Sequence, residues 1–152
     1  MGPNGKVTSG TYSRHTLRLG RQGEQAAAAW LERRGFEILA RNYRTPFGEL
    51  DMVARKDGEL VFVEVKSRLQ GTHVEPEASV GAKKQRHLIR SAQFYLHRHR
   101  MEDSPWRIDI ISVLWPAEPC GGKCRWWWPL PWQRPRPHLY HIRDALEDAQ
   151  RR

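Results

Sequence analysis

Three carboxylates and one amine lie on two adjoining segments whose residues alternate as in β-strands. The first segment carries Glu49 and Asp51, and the second carries Glu64 and Lys66. Carboxylate oxygens are hard ligands of the kind that Mg²⁺ and Mn²⁺ prefer. Two carboxylates on one such ion, with a lysine beside it, suit phosphodiester hydrolysis. The ion polarises the phosphate and activates a water, and the lysine orients that water or holds developing negative charge.

The two segments are joined by Asp57-Gly58, a strong signal for a two-residue hairpin turn. A tight turn there places Asp51 opposite Glu64. By the same register, Glu49 faces Lys66. Because like charges directly opposite each other are destabilising, the Asp51–Glu64 pair needs a cation, either Lys66 on the diagonal or a divalent metal. The structural alternative is a solvated strand end in which Lys66 pairs with Glu49.

Alternation also sorts the hairpin into two faces. One face is wholly apolar and is predicted as core: Leu50, Met52, Ala54, Val61, Val63 and Val65. The other face carries Val53, Leu60 and Phe62 near the turn, with the charged residues beyond them. Since this second face is half apolar, the charged group is predicted at the end of a covered sheet. A register shift of one residue would put these charges on opposite faces.

The remaining segments predict an α/β domain with a mixed central sheet and helices on both faces. Helices are expected over residues 20–34, 83–100 and 143–150, and further strands over 36–44, 106–115 and 138–142. Residues 1–15 are rich in Gly, Ser, Thr and Asn and are predicted as a disordered tail. The rest, 16–152, is predicted as one domain with a Trp/Pro-rich insertion at about 115–137.

The chain is strongly basic, with a net charge of +9 and a pI near 10.1. This excess favours a polyanionic partner such as nucleic acid, although a basic protein without such a partner remains the simpler alternative. The outer face of the long helix supplies the expected phosphate contacts: Lys83, Lys84, Arg86 and Arg90. No segment approaches the roughly 18 apolar residues of a membrane span, and no apolar core of a signal peptide begins the chain. We therefore expect a cytoplasmic protein with no membrane contact.

Residues 120–138 hold four of the seven tryptophans, and six of the ten prolines lie between Pro116 and Pro137, which disfavours a helix or a central strand there. One interpretation is an arm that stacks on bases, with nearby arginines on phosphates. The alternatives are a segment that packs on its own domain or a loop that binds a protein partner. Cys120 and Cys124 with His138 and His141 have a spacing that loosely resembles a zinc finger. The two histidines, however, would point to opposite faces of the predicted strand, which argues against a zinc site.

Asp51, followed after twelve residues by Glu64-Val65-Lys66, resembles the D…ExK signature of the PD-(D/E)XK nuclease superfamily. Leu50 stands where that signature has a proline. A closer resemblance is to the bacterial YraN family of nuclease-like proteins. Its motifs are matched by Gly23-Glu24-Gln25-Ala26-Ala27, Gly48-Glu49-Leu50-Asp51, Phe62-Val63-Glu64-Val65-Lys66 and Lys84-Gln85-Arg86. The resemblance covers about residues 17–114, together with the His141-Ile142-Arg143-Asp144-Ala145 end.

This resemblance implies a restriction-endonuclease-like fold similar to archaeal Holliday-junction resolvases. It implies a site of Glu24, Asp51, Glu64 and Lys66, with Gln85 as a further polar site residue. The implied metal, Mg²⁺ or Mn²⁺, is held by Asp51, Glu64 and the Val65 carbonyl. Without the resemblance, Glu24 is typical of a solvated residue near a helix start.

The function that the resemblance implies is a metal-dependent endonuclease that acts on structured or branched DNA. The alternative is a non-catalytic nucleic-acid-binding or adaptor protein on the same fold. A symmetric homodimer is expected from the resemblance alone.

Overall fold

The computed structural model describes residues 9–71, 81–116 and 136–146, with side chains from residue 17 onward. Two helices and five strands lie in these ranges: α1 Ser9–Glu32, β1 Glu37–Thr45, β2 Gly48–Lys56, β3 Glu59–Leu69, α2 Ala82–Arg98, β4 Trp106–Trp115 and β5 His138–Ile142. Most of the predicted Trp/Pro-rich insertion, residues 117–135, lies outside the described residues, as do residues 1–8. No helix in the described part of the chain has the length and hydrophobicity that a membrane crossing requires.

The five strands form one mixed sheet in the order β1-β2-β3-β4-β5. Tight turns join β1, β2 and β3, so these strands are antiparallel to their neighbours. The connection from β3 to β4 contains α2, and β4 is parallel to β3, as a crossover of this length allows. Strand β5 then pairs antiparallel with β4 at the far edge of the sheet. The mixed sheet predicted from the sequence is confirmed.

Each helix covers one face of the sheet. The core on the α1 side is built by Ala27 and Leu31 of the helix against a row of small and branched strand residues: Met52, Ala54, Val61, Val63, Ile111 and Val113. The core on the α2 side holds larger residues: Val53, Leu60, Phe62, Leu88, Ala92, Tyr95, Leu96, Ile108 and Ile110. Both faces of the hairpin are therefore covered near the turn. This confirms the prediction that the half-apolar second face is covered as well.

Helical periodicity predicts an inner stripe on α2, of which two residues at its start, Gln85 and Ile89, are half-buried and the rest are buried: Leu88, Ala92, Tyr95 and Leu96. Ser91 also lies in this face, and its hydroxyl is 2.8 Å from the hydroxyl of Thr45. A buried polar side chain is stable there because it is hydrogen-bonded.

The two ends of the chain differ from the prediction. Helix α1 begins at Ser9, so residues 9–15 are helical although the sequence predicts them as tail. This stretch contains no proline, and a helix already formed further along extends backwards at little cost per residue.

At the other end, residues 143–146 form a turn rather than the start of a helix. The Asp144 N–H donates to Asp109 Oδ1 and the Ala145 N–H donates to the Ile108 carbonyl. Because these two N–H groups donate to residues of β4, the segment is held against that strand and does not form a helical turn. Residues 147–150 of the predicted helix lie outside the described ranges.

Gly23 is the point at which α1 approaches β3 most closely. A Cβ added at Gly23 would lie 2.5 Å from Ser67 Cβ. The Ser67 hydroxyl donates to the Leu19 carbonyl at 2.8 Å and accepts the Trp115 indole N–H at 2.8 Å. Because Ser67 is tied to both the helix and β4, it has little freedom to move away.

Gly23→Ala should therefore lower the free energy of unfolding by about 1–3 kcal/mol, the usual cost of overpacking. Gly20→Ala is the matched control in the same helix, because a Cβ there meets nothing within 4 Å. That change should raise the free energy of unfolding by about 0.5–1 kcal/mol. Urea unfolding of both variants measures the difference. Equal effects of the two substitutions would contradict close packing at Gly23.

Candidate functional site

The predicted hairpin register is confirmed from Lys56–Glu59 to Met52–Val63, where the ladder between β2 and β3 ends. Beyond this pair, the Asp51 side chain replaces the backbone as the hydrogen-bond acceptor, since its Oδ2 accepts the Val65 N–H at 2.7 Å. A carboxylate thus satisfies a backbone donor at the point where the two strands separate. The separation leaves room for side chains between the strand ends.

Alternation breaks at Asp51, contrary to the predicted faces. Leu50 packs in the α2-side core with Val53, whereas Met52 packs in the α1-side core. Two residues that an ideal strand places on the same face therefore lie on opposite faces. The prediction that Leu50 shares the Met52 face is wrong, because β2 is distorted where it leaves β3.

The predicted opposition of Glu49 and Lys66 is also wrong. Glu49 forms an ion pair with Arg44 of β1, with Nε and Oε2 3.6 Å apart. Strand β2 continues to pair with β1 at Arg44–Glu49 after its ladder with β3 has ended. Glu49 therefore stays with β1, and Lys66 turns to Glu64.

Glu64 is the buried charge of the site, with only 5% of its surface exposed. Its Oε1 lies 3.1 Å from the Lys66 ammonium, and its Oε2 lies 3.1 Å from the Lys84 ammonium. A buried carboxylate requires such compensation because desolvation disfavours an unpaired charge. Oε2 is nevertheless not hydrogen-bonded within the described residues, since the Lys84 contact is close but poorly aligned.

Asp51 is the group whose titration is most altered. Burial raises the pKa of this carboxyl, and the charges of Glu64 and Glu24 raise it further. The Val65 hydrogen bond and Lys84 oppose the rise, and the result is a pKa of about 7 against the ordinary value of 3.8. The influence of Glu24 shows that α1 brings this carboxylate toward Asp51.

The structure thus gathers Asp51, Glu64, Lys66 and Lys84, with Glu24 near enough to act on Asp51. Gln85 lies half-buried beside Lys84 in the first turn of α2. The other predicted phosphate-binding residues lie exposed on α2: Lys83, Arg86 and Arg90.

Lys84 was predicted only as a surface contact for phosphate, and its ammonium instead contacts the buried Glu64. No periodicity in the sequence brings the start of α2 to β3, since this contact is tertiary. The only available signal was that Lys84-Gln85-Arg86 belongs to the family-like motifs.

Within the described ranges, no three His, Cys, Asp or Glu side chains form a complete metal cage. The oxygen donors that converge are the Asp51 and Glu64 carboxylates, and Asp51 also accepts the Val65 N–H. The buried Glu64 oxygen without a hydrogen bond and the repulsion that raises the Asp51 pKa would both be relieved by a divalent cation. Mg²⁺ keeps several waters and needs only one or two carboxylates, so these residues fit it.

A mixed five-stranded sheet with a helix on each face, and carboxylates where β2 and β3 separate, is a restriction-endonuclease-like α/β fold. This chain belongs to the uncharacterised protein family UPF0102, the YraN family, whose family model matches residues 23–113. The match includes Glu24, Asp51, Glu64, Lys66 and Gln85.

Relatives from several bacteria support the assignment. The UPF0102 protein of Syntrophotalea carbinolica is 52% identical over 103 residues, which is 68% of this chain and 82% of the relative. That of Marinobacter nauticus is 44% identical over 109 residues, which is 72% and 88% of the two chains. That of Geobacter metallireducens is 40% identical over 137 residues, which is 90% of this chain and 98% of the relative.

The raised Asp51 pKa makes this carboxylate a cost to the metal-free fold. Between pH 3.8 and about 7 the folded protein holds a proton that the unfolded chain has released. Stability from this group is therefore fully retained below pH 3.8, declines as the pH rises, and is lost above about 7. The pKa difference corresponds to about 4 kcal/mol as an upper estimate.

In a metal-chelating buffer, Asp51→Asn should therefore raise the free energy of unfolding at pH 8, by up to about 4 kcal/mol, and change it little at pH 3. The asparagine oxygen can still accept the Val65 N–H. Urea unfolding at both pH values measures the effect, with Asp103→Asn at an exposed site as the control. A loss of stability at pH 8 would show that the Asp51 charge supports the fold instead.

Proposed function

We propose that this chain is a divalent-metal-dependent endonuclease that acts on structured or branched DNA. The observation that carries the proposal is the meeting of Asp51, Glu64 and the Val65 main chain where β2 and β3 separate. Two opposed carboxylates in a largely apolar setting are costly without a cation. A metal centre for hydrolysis would explain why the chain places two carboxylates together despite this cost in stability.

Asp51 and Glu64 would hold Mg²⁺ or Mn²⁺, with the Val65 carbonyl as a third oxygen. The N–H and C=O of one strand residue point toward the same neighbouring strand, and the Val65 N–H already meets Asp51. When bound, the ion would polarise the phosphate and lower the pKa of a water.

Lys66 and Glu24 would complete the site. The Lys66 side chain is 29% exposed while its ammonium lies 3.1 Å from Glu64, so it can reach both the metal ligand and solvent. From this position it would orient the attacking water or stabilise charge on the phosphate. Glu24 would add negative charge from α1, and Gln85 a polar group from α2.

The start of α2 is the proposed contact with the DNA backbone. Its first turn holds Lys83 and Lys84 and no acidic residue, although the dipole of a helix disfavours cations at this end. A phosphate group there would be favoured by both the backbone N–H groups and the lysines. The net charge of +9 would draw a polyanion toward this surface. We expect the protein in the cytoplasm, where DNA is available.

A homodimer follows from the same proposal. A four-way DNA junction has two-fold symmetry, so a symmetric pair of chains would place one site on each of two equivalent strands.

A non-catalytic nucleic-acid-binding protein on this fold is the second candidate, and one observation favours it. Both Glu64 oxygens lie 3.1 Å from a lysine ammonium, so the buried charge is compensated without a metal. If this arrangement persists on DNA, the site would be a structural remnant and the basic surface would carry the function.

Cleavage of single-stranded, duplex, flap and four-way DNAs with Mg²⁺ or Mn²⁺ separates the two candidates. Glu64→Gln should abolish cleavage, because it removes a metal ligand. Glu49→Gln is the matched control, since Glu49 lies on the same hairpin but pairs with Arg44. Lys66→Ala should retain Mn²⁺ binding in calorimetry and lose turnover. DNA binding by the wild type without cleavage of any substrate would favour the non-catalytic protein.

DNA binding should weaken steeply with salt, because each phosphate contact releases counterions. The double variant Lys83→Ala/Arg86→Ala should reduce the slope of log affinity against log salt by about 2. Arg98→Ala, exposed at the other end of α2, should change the slope little. Fluorescence anisotropy with a labelled junction at several salt concentrations measures the slopes. An equal change in both variants would place the interface elsewhere.

A further inference from the structure

A second polar site lies at the opposite end of the hairpin, around its turn. It is a cleft of about 520 Å³, within the usual size range of small-ligand pockets. Its walls come from the end of α1 and the segment after it, the hairpin turn, β4, β5 and the residue that follows β5: Trp30, Arg34, Phe36, Lys56, Asp57, Glu59, Arg107, His141 and Arg143. The last two residues belong to the family-like His141–Ala145 motif, for which the proposed cleavage gives no role.

This cleft is separate from the carboxylate site. Lys56 is five positions after Asp51 along β2, which corresponds to about 17 Å of strand. The residues of the cleft also lie on the α1 side of the sheet, next to the core that includes Phe36. A ligand in the cleft would therefore not occupy the metal site.

The cleft carries a net positive charge, and two of its cationic side chains lie against aromatic rings. Four of its nine lining residues are Lys or Arg and two are acidic, which leaves a surplus of two positive charges. The Arg34 guanidinium lies 3.6 Å above the Trp30 ring. The Lys56 ammonium lies 4.9 Å from the Phe36 ring and donates to the Arg34 carbonyl at 2.9 Å. Arg143 is exposed and has no hydrogen-bond or ion-pair partner within the described residues.

The rear of the cleft is a buried hydrogen-bond network around Asp109, which is fully buried. Asp109 accepts from Arg107 Nε at 2.9 Å, and its other oxygen is 2.7 Å from His141 Nε2. Burial raises the pKa of Asp109, but the hydrogen bonds from His141, the Asp144 N–H and Arg107 together lower it below its ordinary value. Asp109 therefore remains a carboxylate and fixes the positions of Arg107 and His141. The Glu59 carboxylate also binds Arg107.

We propose that this cleft binds a nucleoside monophosphate unit, either as a free nucleotide or as the end of a nucleic-acid strand. Lys56 and Arg143 bind the phosphate, as charged donors with unused hydrogen-bonding capacity. The outer face of Arg34, already stacked on Trp30, receives the base, because guanidinium groups stack on aromatic rings. A lone phosphate would use the cations but leave most of the cleft unfilled. This inference does not depend on the proposed cleavage.

Calorimetric titration of the full chain tests the proposal, with inorganic phosphate, adenosine monophosphate and a short single-stranded DNA with or without a 5′ phosphate. The monophosphate should bind at least about tenfold more tightly than inorganic phosphate. Arg143→Ala and Lys56→Ala should each weaken its binding by about tenfold or more, since each removes a charged hydrogen bond. Arg33→Ala, which removes an exposed charge next to Arg34 but outside the cleft, should leave the affinity unchanged.

The DNA arms identify the source of the ligand. Binding of the 5′-phosphorylated strand but not of the 5′-hydroxyl strand, lost in Arg143→Ala, assigns the cleft to a strand end. Binding of the free monophosphate alone assigns it to a free nucleotide. The proposal is overturned if the monophosphate does not bind, if inorganic phosphate binds equally well, or if Arg33→Ala weakens binding as much as Arg143→Ala.

Discussion

The burial of negative charge where β2 and β3 separate is the constraint on which the rest of this structure depends. Glu64 is buried on the central strand β3, so its charge requires cations, and α2 and β3 supply Lys84 and Lys66. Asp51 has no cation at hydrogen-bonding distance among the residues that the structure describes. It accepts the Val65 N–H instead, and its raised pKa of about 7 lets it keep its proton to higher pH. The two carboxylates thus offset the desolvation cost of burial in different ways.

The rest of the sheet is well packed, and this packing offsets the cost of burying the two carboxylates. Between the site and the hairpin turn, both faces of β2 and β3 are packed under a helix. Gly23 lets α1 approach β3 closely enough to bring Glu24 toward Asp51, and Ser67 ties the helix to β4. The distortion at Asp51 is therefore confined to the strand ends, and it does not spread into the core.

One hairpin thus carries two polar regions with opposite character. Its open end presents buried carboxylates, and its turn faces a cleft whose lining carries more positive than negative side chains. In the cleft Asp109 is the buried anion, and Arg107 and His141 compensate it. Both regions follow the same rule, that a charge buried in a sheet must be paired or hydrogen-bonded. Because the two regions are separated along the strands, a ligand in one would not occupy the other.

The sequence by itself determined the five strands and the two long helices in their order, because strand alternation, the Asp57-Gly58 turn and the apolar stripe of α2 are local patterns. The same turn determined the register as far as Met52–Val63, and it thereby brought Asp51 and Glu64 close together just beyond that pair. The family likeness, rather than periodicity, indicated Glu24. Only the tertiary structure decided that Leu50 changes face and that Lys84 pairs with Glu64, since both depend on where strands part and where helices pack. The Asp109 network was likewise decided by folding, because His141 and Asp144 lie more than thirty residues from Asp109 along the chain and no local pattern relates them.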